Sequence, residues 1–232
     1  MSERTPQAEA AGKDGYPPTR TFKPRRRHVS AARAASHERL LGLWALDATG
    51  PPLDLPAIFG RLAPVILDVG FGGGEATIEM ALADPGRDVI AVEVHTPGLA
   101  RVLAAVDDLG LTNIRVVDGD VKEFLLRLAI ESLDEVRIYF SDPWPKLRQQ
   151  RRRLIQTPFV EEVTDRLVPG GRLHLATDIA DYAAQMAAVC DAASRLAGGV
   201  IPRPHHRPVT RFEQRGLNAG RGPVDLLYRR IS

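Results

Sequence analysis

The chain has one cysteine, Cys190, among 232 residues. No internal disulfide can form, and a cysteine-ligated zinc site is excluded. No spacing of histidines and carboxylates marks a metal site, and no Ser-His-Asp signature marks a hydrolase. No apolar run reaches the roughly 18 residues that a membrane helix needs. Met1 to Tyr16 holds no apolar stretch, so no secretory signal is expected and the cytoplasm is the expected compartment. What is left is an ordinary globular composition, 44% hydrophobic and 26% charged, in a chain long enough to bury a core without staples. The length suggests one domain.

The net charge of +2 hides a marked asymmetry. Residues 1–40 carry nine Lys/Arg against four Asp/Glu. Residues 146–153 (Lys-Leu-Arg-Gln-Gln-Arg-Arg-Arg) add five cations and no acid, and residues 201–232 hold seven arginines against two acids. Each segment is net +5, so the remainder is net −13. An acidic body with three basic attachments predicts a polyanionic partner, nucleic acid first.

Residues 1–20, rich in Ala, Pro, Gly and charge, read as a disordered tail. Residues 21–62 hold a basic arm, Thr21–His28, and a helix over Ser30–Leu46 with Leu40, Leu43, Trp44 and Leu46 on one face, before Pro51-Pro52 breaks the chain. From residue 63 the pattern is regular. Strands are expected at Val65–Val69, Asp88–Val94, Ile114–Val117, Val136–Phe140 and Arg172–Ala176. Helices are expected at Glu75–Ala83, Pro97–Leu109, Val121–Ile130, Pro158–Leu167 and Ile179–Leu196. This alternation predicts an α/β fold, a mostly parallel sheet with helices on both faces. Val224–Ile231 is expected to add an antiparallel edge strand.

Between the first strand and its helix stands Asp68-x-Gly70-x-Gly72-x-Gly74. Glycine lets the backbone turn sharply and approach a ligand. In an open α/β sheet this turn lies at the carboxyl edge, where ligands bind. A nicotinamide-dinucleotide fingerprint needs glycine at 75, where this chain has Glu75. An acid two residues before the first glycine suits a cationic ligand, and the spacing resembles the adenosylmethionine motif of Rossmann-like methyltransferases. A tight turn without a ligand is the alternative. Glu93, ending the second strand, can accept hydrogen bonds from both ribose hydroxyls of an adenosine; a solvated strand-end glutamate is the alternative. Methyltransferases of this architecture often place an acid after the third strand to accept from the adenine amino group. Asp120, in Val117-Asp118-Gly119-Asp120, matches it, with Asp118 the competing choice.

The run Phe140-Ser141-Asp142-Pro143-Trp144-Pro145-Lys146 leads into the second basic segment. Its prolines stiffen the loop, Trp144 offers a face on which a base could stack, and the cations supply phosphate contacts. An acid, an aromatic and a basic stripe in succession describe a nucleic-acid base site. The alternative is a turn aspartate, a packing tryptophan and a solvated helix end.

These segments, with Val-Glu-Val-His-Thr-Pro-Gly, Leu-Ala-Thr-Asp at 175–178, Tyr182, Thr-Arg-Phe-Glu at 210–213 and Arg215-Gly216, resemble bacterial tRNA (guanine-N7)-methyltransferases. The resemblance runs from about Thr21 to the C-terminus. Three positions depart from it: Asp68 for a usual glutamate, Gly73 where a larger residue is common, and Ser141 where proline is common. It implies a Rossmann-like class I methyltransferase domain over residues 63–232. The implied reaction moves a methyl group from S-adenosyl-L-methionine to N7 of a guanosine in the tRNA variable loop, position 46 in tRNA numbering. With the glycine turn (Gly70, Gly72, Gly74), the implied cofactor residues are Asp68, Glu93, Asp120 and Asp142, and Asp142 is also the implied catalytic acid. The implied substrate residues are Lys146, Asp178, Thr210, Arg211, Phe212 and Glu213. On the residues alone, Asp178 ends the fifth strand and faces the same edge, with a helix N-cap as its alternative. Thr210–Glu213 alone reads as a polar loop. tRNA is expected to engage the basic arm, residues 146–153 and the C-terminal arginines. No metal, membrane or obligate protein partner is expected.

Guanine N7 carries a free lone pair on the major-groove edge. It needs no deprotonation before attacking a sulfonium methyl, so positioning and electrostatics are what the protein must supply. Asp142 is expected to orient the guanine through its N–H edge and favour the developing cation. A carboxylate acting as base would instead suit attack by an N–H nitrogen, and the sequence leaves both roles open. Two other functions stay open. A methyltransferase for another RNA or a small molecule is one, and the basic arm argues against a small substrate. A non-catalytic RNA-binding module is the other, and it would have no need of the cofactor acids.

Overall fold

The computed structural model describes residues 31–231; the expected tail and basic arm lie outside them. In chain order the elements are α1 (Ala31–Trp44), β1 (Ala45–Leu46), α2 (Leu55–Phe59), β2 (Val65–Val69), α3 (Glu75–Ala83), β3 (Asp88–Glu93), α4 (Thr96–Asp108), β4 (Ile114–Asp118), α5 (Val121–Leu125) and β5 (Leu133–Tyr139). A 3₁₀ helix (Leu147–Arg152) follows, then α6 (Thr157–Arg166), β6 (Leu167–Thr177), α7 (Ala180–Asp191), β7 (Leu196–Ile201), α8 (Arg211–Asn218) and β8 (Val224–Arg230).

The strands form one sheet in the order β1-β4-β3-β2-β5-β6-β8-β7. β2 is buried along its whole length because alternate residues serve opposite faces. Val65, Leu67 and Val69 join a core with α5, α6 and α7, through Phe124, Phe159, Val163 and Met186. Ile66 joins a second core with α1, α3 and α4, through Leu40, Ala81, Leu99 and Val102. β3 lies parallel on one side of β2 and β5 parallel on the other. The strand order therefore reverses at β2, and the crevice outside its carboxyl end is a topological switch point.

Several expected boundaries move. The first helix ends at Trp44, because Ala45 and Leu46 pair with Val116 and Val117 as a short parallel strand. Leu43 is 57% exposed, so Leu40 and Trp44 carry that face without it. The Pro-rich stretch contains α2, capped by Asp54, whose Oδ1 accepts from Ala57 N at 3.1 Å. α5 stops well short of Ile130. Bonds of the i→i+3 kind tighten the chain there, and Arg127 turns back to Pro51 O (2.9 Å) and Asp47 O. β6 begins at Leu167 rather than Arg172, with an irregularity opposite Leu133 and Glu135 that takes up Pro169-Gly170-Gly171.

The largest differences are at the C-terminal side. α7 ends at Asp191, and Leu196 begins a strand instead of ending a helix. β8 is antiparallel to β6, as expected of Val224–Ile231, but it lies between β6 and β7, and β7 is the outermost strand. Among the described residues, no helix is long and apolar enough to cross a membrane.

Candidate active site

The glycine turn leaves the end of β2 at the switch point. Gly74 is the N-cap of α3 at φ 82°, and a Cβ there would lie 2.1 Å from Val102 Cγ2. α4 approaches just as closely: a Cβ on Gly98 would sit 1.7 Å from Gly72 O. The loop is thus pressed against α4, with no room for side chains at the contact. Glu93 fixes its other side. The carboxylate is 8% exposed and accepts from Gly72 N (2.6 Å), Val94 N (2.7 Å) and His95 N (3.0 Å). A carboxylate has about four acceptor positions, so about one remains for a ligand. Burial rules out the solvated strand-end reading.

Asp68 is buried beneath the turn, and its Oδ2 accepts from Thr77 Oγ1 at 2.6 Å. Burial pushes its carboxyl above the usual aspartate range, and the Thr77 bond offsets this only in part. Asp68 lines a small cleft with Phe71, Met80, Tyr139, Thr210 and Phe212. Asp120, at the same edge, caps α5, its side chain accepting from Lys122 N at 3.0 Å. Asp118, on the adjoining strand end, is exposed.

The Asp142 loop follows β5. Phe140 and Trp144 stand at φ 55° and 42°, sparsely populated for side-chain-bearing residues, so the loop is held from both ends in a costly conformation. Asp142 is exposed between them and makes no hydrogen bond or ion pair among the described residues. Ser141 Oγ meets Tyr182 OH at 3.2 Å, and burial raises the pKa of that phenol. Trp144 does not offer a stacking face. It is 4% exposed, and the Arg152 guanidinium covers its ring at 5.0 Å from the centroid. Arg153 is likewise withdrawn from any phosphate. It is buried, ion-paired with Asp181, bonded to Pro143 O (2.7 Å) and Gln185 Oε1 (2.7 Å), and lies over the Tyr182 ring. Of the five cations in this segment, Lys146, Arg148 and Arg151 are exposed.

Asp178, at the end of β6, is not a helix cap. Ile179 holds that position without a side-chain bond, and its N–H goes to Thr177 Oγ1. Asp178 Oδ2 instead accepts from Arg221 Nε at 2.9 Å and lies against Gly216, where a Cβ would come within 2.6 Å. Thr210–Glu213 is not a loop but the start of α8. Thr210 Oγ1 accepts from Glu213 N at 3.1 Å. Arg211 reaches Glu75 at 2.7 Å, and Phe212, half exposed, faces the cleft beside Gly72. Glu213, expected at the substrate, is 1% exposed and held by Arg203 and Arg207. The expected set of C-terminal arginines is reduced in the same way. Arg203 and Arg207 are consumed in these pairs, while Arg211, Arg215, Arg221 and Arg229 are exposed.

Sequence reasoning missed α8, although Thr-x-x-Glu is a capping-box spacing that signals a helix start. Thr77 and Arg207 carry no sequence signal of their own.

A family model described as "Putative methyltransferase" matches residues 62–226. The chain is 47% identical over 233 residues to the tRNA (guanine-N(7)-)-methyltransferase of Streptomyces avermitilis, spanning 97% of this chain and 80% of that one. It is 43% identical over 217 residues to the protein of the same name from Nitrosomonas eutropha, spanning 92% and 97%. Among solved structures, the 16S rRNA methyltransferase KamB superposes with a TM-score of 0.57 at 17% identity, over 79% of this chain and 96% of that one, a likeness of fold.

Proposed function

This chain belongs to the tRNA (guanine-N(7)-)-methyltransferase family, and from that membership we propose that it methylates N7 of a guanine in tRNA with S-adenosylmethionine. Following the sequence resemblance, the target is the variable-loop guanosine at tRNA position 46. The carrying observation is the shared carboxyl edge of three adjacent parallel strands, where the pressed glycine turn follows β2, the buried Glu93 ends β3 and the loop of the exposed Asp142 follows β5. The catalytic domain is residues 63–232, and α1 and β1 complete its sheet and one of its cores.

The residues present fit the cofactor. Backbone free of side chains at Gly70 and Gly72 admits a close ligand, Glu93 keeps an acceptor position for ribose, and Asp120 or Asp118 stands at the adenine end. Asp68 offers a carboxylate to the ligand's cationic amino-acid end. When bound, S-adenosylmethionine supplies a methyl group on a sulfonium centre. Guanine N7 would take that methyl with its own lone pair as the methyl–sulfur bond breaks and its electrons stay on sulfur, which leaves as a neutral thioether, so no residue has to remove a proton first. The task of the chain is therefore placement and charge. Asp142 accepts from the N–H edge of the guanine and favours the positive charge that the purine acquires. Its loop is immobilised by the Pro143–Arg153 and Ser141–Tyr182 bonds. Lys146, Arg148 and Arg151 hold phosphates beside it, with Arg211 and Arg215 of α8 and Arg221 beyond it continuing the basic surface. Asp178 and Thr210 face the same edge from β6 and α8.

Nucleoside mass analysis of tRNA incubated with the protein and methyl-labelled cofactor tests this reading. The expected product is 7-methylguanosine at position 46. Label on another base atom, or none on tRNA while the protein still binds it, would overturn the reading in favour of a different methyltransferase or an RNA-binding module.

A further inference from the structure

We propose that Arg207 is a positioning residue for methyl transfer: it holds α8 over the cofactor crevice through Glu213. The proposal rests on the function proposed above. Arg207 has a side chain with no solvent exposure. It donates to Asp225 from Nε (Oδ1, 2.8 Å) and from Nη2 (Oδ2, 2.9 Å). It donates to Glu213 from Nη1 (Oε2, 2.7 Å) and from Nη2 (Oε1, 3.2 Å). Asp225 belongs to β8 and pairs with Ala176 of β6, whereas Glu213 belongs to α8. One guanidinium thus bolts the helix to the sheet, and its rigid fork fixes both directions at once.

The same group reaches both walls of the crevice. It lies 5.4 Å from the Tyr139 ring centroid and 5.6 Å from that of Phe140, the residue that opens the Asp142 loop. Tyr139 OH meets His174 Nδ1 at 2.8 Å, and His174 Nε2 meets Asp225 Oδ1 at 2.9 Å, which closes the circuit beneath the cleft. Arg203 holds Glu213 from the far side at 2.5 Å and also bonds Arg207 O at 2.6 Å. Tyr139 on one wall and Thr210 and Phe212 on the other both line the cleft. The remaining ion pairs of α8 and its following turn, Arg211–Glu75 and Arg221–Asp178, are partly exposed and weak as anchors. A buried ionic cluster adds little net stability over an apolar core. Its worth lies in geometry, and a misplacement of about 1 Å can cost on the order of 10² in rate.

The test compares Arg207→Lys with Tyr228→Phe. The second variant loses the Tyr228–Asp191 hydrogen bond (2.7 Å), and Tyr228 packs in the core on the opposite face of the sheet. Hydrogen exchange of the α8 amides should be at least about tenfold faster in Arg207→Lys, with β2 and β5 amides unchanged. Its kcat on tRNA should fall by on the order of 10²-fold, with the KM for tRNA within about threefold of wild type. Tyr228→Phe should lower the thermal midpoint and move neither readout. If Arg207→Lys does not fold, Asp225→Asn keeps the shape and should show both effects at about tenfold. Unchanged α8 exchange in the folded variant, or an equal kcat loss in Tyr228→Phe, overturns the proposal. A wild-type protein that leaves tRNA unmethylated would instead overturn the function, while the exchange comparison still reads the clamp.

Discussion

Two carboxylates proposed for the site illustrate opposite uses of one functional group. Asp142 is exposed and unbonded among the described residues, so its removal should leave the fold intact. Asp142→Ala should bind S-adenosylmethionine within a few-fold of wild type and lose about 10²–10³ in turnover. Calorimetry beside a tRNA methylation assay checks this, and turnover within a few-fold of wild type would reduce Asp142 to a turn residue. Asp68 is buried, and its carboxyl titrates above the usual range because burial disfavours the anion. As pH falls through that raised range the carboxylate is protonated and its pull on a cationic ligand is lost. Cofactor affinity should therefore fall on acidification at a pH above that of an ordinary aspartate. Asp68→Asn should bind more weakly at neutral pH and show a flatter profile. A wild-type affinity that is flat with pH down to 4 would separate Asp68 from the ligand.

At the level of elements, the basic 3₁₀ helix divides into reach and support. Lys146, Arg148 and Arg151 are exposed, while Arg153 is a buried tie between the Asp142 loop and α7. Neutralising the three exposed cations should flatten the salt dependence of tRNA binding by about two logarithmic units per decade of salt, at about 0.7 per phosphate contact. Measuring Kd at several salt concentrations checks this, and an unchanged slope would mean those cations touch no phosphate. Arg153→Ala should behave differently, destabilising the fold rather than changing the slope, because it empties a buried site and removes the bonds to Pro143 O and Gln185 Oε1. That division was not legible in Arg-Arg-Arg, because burial is decided by what packs on the run. Trp144 was misread for the same reason. By contrast, β2 and β3 were legible because short Val/Ile-rich runs, entered from Pro64 and Gly86, match strands covered on both faces. β7 was hidden by Ala-Gly-Gly, a poor strand former, used where Gly198 must pass within reach of Leu227 O.

Across the whole molecule, acid stability should depend on a charge cluster at the opposite end of the strands. Burial alone would raise the Glu135 pKa, but Arg137 and Arg172 together hold it down at about 2. Arg87 adds a third contact at 3.0 Å. A folded value depressed from 4.5 to about 2 stabilises the fold by roughly 3 kcal/mol at neutral pH. That contribution is complete above about 4.5 and disappears as pH falls toward 2. Urea midpoints measured between pH 7 and 3 should therefore fall steeply for wild type and less steeply for Glu135→Gln. Equal slopes would show that Glu135 is not a source of the acid sensitivity.

β8 follows β7 in the chain but lies between β7 and β6. During synthesis, then, β7 emerges before the strand that attaches it to the sheet exists. Asp225, the anchor of Arg207 and through it of α8, emerges later still. The glycine turn and the Asp142 loop can be in place on the ribosome while the wall of the crevice opposite them is still missing. A nascent chain could hold most of a cofactor pocket before α8 and β8 are made, and would remain inert toward RNA until they join the sheet.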